Sequence, residues 1–256
     1  MNKGLLFEWC IYYLVHFGRS TKPADFAIAK SNYKASPVDV KNAAADAVGI
    51  VEAQFGKIIN VTKLSGGDEP KTDLLFRTSK KAKLKCSLKY GSSIQLSSGG
   101  VSSTTKFLLG VVNDLRSEQY DNKKFVAVIK ALTEFEEEYG GLGKMPSTKA
   151  NKLMSEGAGY DKLLKDILGS RQNPNVKAEY EIIKHAVVKE AMTGKKTFGG
   201  GDKSAEYVLT ETYLKKIDDT FVKEVASKTS VRLALKGRGS SGEVRLNEIV
   251  VRFDAN

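Results

Sequence analysis

Cysteine, proline, histidine and tryptophan are scarce in this chain of 256 residues, at two, five, two and one. Two cysteines, Cys10 and Cys86, cannot build a disulfide framework. Both lie in apolar runs, where buried, reduced thiols are expected. Five prolines, with glycines in no period, exclude a collagen-like chain. No run of 18 apolar residues occurs, so no membrane-spanning helix is expected. His16 and His185 stand far apart without cysteine partners, which argues against a zinc site. Residues 185–202 hold the glycines and lysines of a phosphate cradle but lack the spacing of a nucleotide-binding loop. No Gly-x-Ser-x-Gly elbow is present. Residues 5–17 are apolar enough to suggest a secretory signal. However, Glu8 lies inside them, Lys3 is the only early positive charge, and no cleavage site follows cleanly. The expectation is a buried amphipathic helix in a cytoplasmic protein.

What the chain does have is positive charge, unevenly placed. The net charge is +11. Residues 57–106 carry ten basic and three acidic side chains, and residues 228–256 carry six and three. Residues 1–56 and 107–227 are close to neutral. Both charged segments read as strands. A concentrated basic surface draws phosphates, because neutralising them releases counterions. The alternative is an ordinary solvated basic face.

Hydrophobic spacing predicts helices over 4–16 and from Ser36-Pro37 to Phe55, the second ended by Gly56. The period then changes to two. Residues 57–64, 71–77 and 83–90 read as three strands of an antiparallel meander, followed by a small-residue loop over 91–103. Helices are expected near 104–118, 122–139, 147–168, 176–193 and 203–227, and a hairpin over 229–236 and 243–253. The domain reading is a core of residues 1–106, a helical lobe of 107–227 and a terminal hairpin of 228–256 that completes the core.

In the meander, Asp73 on the second strand and Lys89 on the third can stand side by side. Ser87 shares a face with Lys89. A carboxylate beside a lysine in a basic region is raw material for metal-assisted phosphodiester hydrolysis. The carboxylate holds a hard cation and the lysine steadies negative charge. Other roles exist for both residues: an aspartate closes turns, and a lysine protects an edge strand.

At Pro70-Lys71-Thr72-Asp73 and Ser87-Leu88-Lys89 the chain resembles the PD-(D/E)XK nuclease superfamily of restriction and phage nucleases. That family has an acid on one strand and an acid-x-lysine triplet on the next. Asp73 matches the first acid and Lys89 the lysine, with Ser87 in place of the second acid. Gln95 corresponds to the family's downstream glutamine, and Glu8 or Glu52 to the carboxylate an early helix adds. The resemblance implies an α/β fold, a restriction-endonuclease-like mixed sheet flanked by helices. A large helical insertion would precede the C-terminal β-hairpin. It implies a DNA endonuclease dependent on Mg²⁺ or Mn²⁺. Asp73, Glu8 and Glu52 are the candidate metal ligands, and Asp73, Ser87, Lys89 and Gln95 the catalytic set. Lys83, Lys85, Arg232, Lys236, Arg238 and Arg245 would grip the phosphates of double-stranded DNA. Enzymes of this type often dimerise, and the residues leave the oligomeric state open, as they do DNA against RNA. The other reading is a nuclease-like core that holds DNA without cutting it, such as a phage structural or packaging protein. Ser87 favours it, because a hydroxyl is a weaker, neutral ligand. RNA binding is the weaker alternative, because aromatic residues do not interleave with the basic strands.

Overall fold

The structure is a computed structural model that describes residues 2–64, 71–91, 94–117, 158–197, 199–235 and 249–255. It also describes residues 123, 126–127, 130, 133–134, 137, 145–146, 148 and 243–244. These divide into two compact units: Met1–Ile94 with Met192–Phe221, and Gln95–Ala191 with Val222–Asn256.

The first unit opens with helices α1 (Lys3–Phe17), α2 (Phe26–Ala35) and α3 (Val38–Phe55). Asn2 caps α1, its side-chain oxygen accepting from the Gly4 N–H at 2.9 Å. α1 is covered on more than one face, with Leu6, Phe7, Cys10, Ile11, Tyr12, Tyr13 and His16 all buried. Gly56 ends α3 with φ +76°, and a Cβ there would lie 2.2 Å from the Ser79 hydroxyl. Only glycine satisfies both conditions. Ser36 does not cap α3. Its hydroxyl donates to the Asn32 carbonyl at 2.7 Å and receives the Cys10 thiol at 3.2 Å, binding α2 to α1.

The meander follows as β1 (Ile58–Lys63), β2 (Leu74–Thr78) and β3 (Leu84–Leu88), antiparallel throughout as the alternating pattern predicts. Val61, Leu74, Phe76, Leu84 and Cys86 meet Leu6, Phe7 and Ile11 of α1 and Val40, Ala44, Ala47 and Val51 of α3 in one core. Removing a side chain such as Phe7 or Leu74 from water contributes roughly 1.5–3 kcal/mol each. Both cysteines are free and buried, as expected.

Two short strands complete this sheet, β6 (Tyr207–Leu209) and β7 (Leu214–Lys216). The order is β1-β2-β3-β6-β7, with β3 parallel to β6 and the other pairs antiparallel. This corrects the helix expected over 203–227, of which α7 (Asp219–Lys228) is the helical part. The strands of residues 228–256 are not among the five of this sheet. Three-residue strands are too short to display a period of two. Moreover, β6 is buried along its whole length beside a parallel neighbour, so it reads as a plain apolar run.

The second unit contains most of β4 (Ile94–Gly100), α4 (Val101–Ser117), β5 (Met145–Pro146), α5 (Ala158–Leu168) and most of α6 (Ala178–Thr193). It also holds β8 (Thr229–Leu235), β9 (Glu243–Val244) and β10 (Ile249–Ala255). β8 and β10 pair antiparallel from Thr229↔Ala255 to Leu235↔Ile249, as the hairpin reading expects. They form their own sheet with β4, which lies where a loop was predicted. After α5, Gly169 takes φ +88° with the Pro174 carbonyl 2.5 Å from where a Cβ would stand. Its own carbonyl receives the Val231 N–H of β8 at 2.9 Å. Among the described residues no helix is long and apolar enough to cross a membrane.

Candidate active site

The register of the meander brings one end of three strands together. Lys63, the last residue of β1, faces Leu74, the first of β2, and Leu74 faces Cys86 of β3. Asp73 stands one residue before β2 and is thereby set against Ser87 and Leu88. Its N–H donates to the Cys86 carbonyl at 2.9 Å. Its carboxylate accepts the Leu88 N–H at 2.6 Å and the Ser87 hydroxyl at 3.2 Å. Lys89 follows directly, its N–H bonded to the Leu209 carbonyl of β6 at 3.0 Å. β3 is the third of five strands, so Lys89 does not guard an edge.

Glu8 reaches this end from α1. Burial pushes its carboxyl above the ordinary carboxylate range, and the nearby Asp73 charge pushes it further. Lys63 and Lys89 pull the other way. Asp73 is also raised, chiefly by burial, against the pull of Lys89, the Leu88 N–H, Lys71 and Lys63. A carboxyl raised by burial and by a second, buried carboxyl marks a candidate functional site. Cys86, behind Asp73 on β3, is driven well above the usual thiol range by burial and by the Asp73 charge, so it is no nucleophile.

The remaining sequence candidates separate. Glu52 is not brought to Asp73: its carboxylate accepts the Ile58 N–H at 3.0 Å, at the opposite end of β1. Gln95 lies on β4 in the sheet of the second unit. Lys83 holds both carboxylate oxygens of Asp202 at 2.9 Å. Lys85 pairs with Glu206 at 2.9 Å and donates to the Gly201 carbonyl at 2.9 Å. Arg232 pairs with Asp254 at 3.0 Å across the β8–β10 ladder. Lys236, Arg238 and Arg245 lie outside the described residues.

Two features of the site were not linked to Asp73 from sequence. One is Lys63, whose Nζ binds the Glu8 carboxylate. Only the β1–β2 register, which sets the last residue of β1 beside the start of β2, could have found it. The other is the segment after α6. Gly199, Gly200 and Gly201 all have positive φ, and the Lys203 carbonyl receives the N–H groups of Lys71 and Thr72 next to Asp73.

The donor set suits a hard cation: two carboxylates, from Glu8 and Asp73, with the Ser87 hydroxyl beside them. Among the described residues no group of three or more histidines, cysteines or acids is placed to hold a metal ion. Any metal here would therefore rest on two charged ligands. No family model, no curated protein and no solved structure matches this chain.

Proposed function

We propose that the first unit is the core of a metal-dependent DNA endonuclease of the PD-(D/E)XK kind, with serine at the second acidic position. The observation that carries this reading is the convergence of Glu8, Asp73, Ser87 and Lys89 at one end of a mixed sheet. Within it, Glu8 fills the role left open by Ser87, and Glu52 is released to a structural one.

Bound Mg²⁺ or Mn²⁺ would supply a polarised phosphate and a water of lowered pKa. Asp73 and Glu8 would hold the ion, and the Leu88 N–H and Ser87 hydroxyl keep the Asp73 carboxylate aimed. Lys89, partly buried beside both acids, would steady the charge that develops on the phosphate in the transition state.

The wider calls belong to the same reading. Double-stranded DNA is the substrate class, with phosphates gripped by basic residues that include Arg232, Lys236, Arg238 and Arg245, and Gln95 as the orienting amide. Lys83 and Lys85 already hold Asp202 and Glu206, so their grip is the weaker for it. A cytoplasmic location and a homodimer presenting two sites complete it. Incubating plasmid DNA with the protein and Mg²⁺ or Mn²⁺, then repeating with EDTA, tests the proposal. Nicked or linear product that EDTA abolishes supports it.

A second reading is a DNA-holding module without cleavage. Its specific support is charge balance: the ammonium groups of Lys63 and Lys89 already face the carboxylates of Glu8 and Asp73. Tight DNA binding with no product at any metal concentration would favour it.

A further inference from the structure

Lys63 is not part of the motif, yet it binds Glu8, one of the two acids proposed to hold the metal. It closes β1 opposite Leu74, one residue from Asp73 in the register. Its Nζ binds the Glu8 carboxylate, and the two side chains keep only 14% and 19% of their surface exposed. Its charge also acts on Asp73. The ammonium stands 5.3 Å from the centre of the Trp9 ring, on the residue next to Glu8.

A covered carboxylate beside a second carboxylate needs a counter-ion. Lys63 provides one that is tethered to the fold. A divalent cation seeking the same oxygens must displace it. The flexible four-carbon stem of lysine permits that displacement without moving the strand. From this geometry we infer that Lys63 is the resident cation of the site: it holds Glu8 in place and yields the carboxylate to a divalent ion, setting the concentration at which metal enters. The inference rests on the metal-site reading of Glu8 and Asp73.

Calorimetric titration with MnCl₂ tests it without any cleavage assay. Lys63→Met keeps the stem and removes the charge. It is expected to bind Mn²⁺ about tenfold tighter than wild type, since one competing charge at contact range is gone. Lys63→Arg, which restores a cation, is expected to return the affinity to near the wild-type value. Equal affinity in wild type and Lys63→Met overturns the inference and leaves the metal site standing. Absence of Mn²⁺ binding in both overturns the inference together with the metal site. Trp9, the only tryptophan, gives a reading on the wild type itself. MgCl₂ is expected to shift its emission with the midpoint of metal binding, because the ammonium leaves the ring. Emission that stays fixed while calorimetry records binding also overturns the inference.

Discussion

The Ser87 hydroxyl donates to the Asp73 carboxylate at 3.2 Å, so the residue that departs from the nuclease motif is bonded to the residue that matches it. Ser87 is 2% exposed, and it shares Asp73 with the Leu88 N–H. The serine hydroxyl and the Leu88 N–H together fix the orientation of the Asp73 carboxylate.

Ser87→Glu restores the missing acid but adds a third carboxylate to a covered site. In EDTA its melting temperature is expected to fall, through repulsion with Asp73 and Glu8 and through crowding. Mn²⁺ is expected to recover most of that loss, and the neutral isostere Ser87→Gln is expected to recover none. Thermal melts of both variants with and without Mn²⁺ check this. A Ser87→Glu melt that ignores Mn²⁺ would contradict it.

Legibility from sequence followed the length of the periodic pattern. The meander was readable because Leu84, Cys86 and Leu88 alternate against Lys85 and Ser87, and its pairing then set Asp73 beside Ser87. β6 and β7 were not readable, because three residues carry no period and parallel pairing to β3 is a long-range event. The juxtaposition of Asp73 with Ser87 followed from the pairing of the meander, with Lys89 two residues on. Glu8 and Glu52 could be separated only by packing: α1 lays Glu8 at the Asp73 end of the meander, whereas Glu52 meets the start of β1. Lys63 carried no motif signal at all.

Gly56 joins α3 to β1 in a conformation and a space that exclude a side chain. Gly56→Ala is expected to lower stability by about 1–3 kcal/mol. Gly18→Ala, at a site with nothing within 4 Å and an ordinary φ, is expected to cost far less. Urea denaturation of the two variants measures the difference. Equal stability would mean that Ser79 and the backbone relax freely.

Lys184 on α6 is 4% exposed and donates to the Pro174 carbonyl. Burial lowers its pKa to about 8. The unfolded chain then holds more protons than the folded one between about pH 8 and the ordinary lysine value. Stability should therefore rise with pH across that window. Below it the ammonium is buried in its charged form and the destabilisation is fully present. Relative to Lys184→Met, the wild type is expected to gain about 2 kcal/mol between pH 7.5 and 10. Parallel stability curves for the two proteins would place the lysine in water.

The most direct measurement is plasmid cleavage by wild type and Asp73→Asn, each with Mg²⁺ and with EDTA, alongside DNA binding by both. Asp73→Asn keeps the shape of the side chain and removes the charge that would hold the cation. The expected result is metal-dependent cleavage by wild type, a fall of about two or more orders of magnitude in the variant, and similar DNA binding by both. Cleavage by Asp73→Asn at the wild-type rate, or a wild type that binds DNA and cuts none with either Mg²⁺ or Mn²⁺, would contradict the nuclease reading.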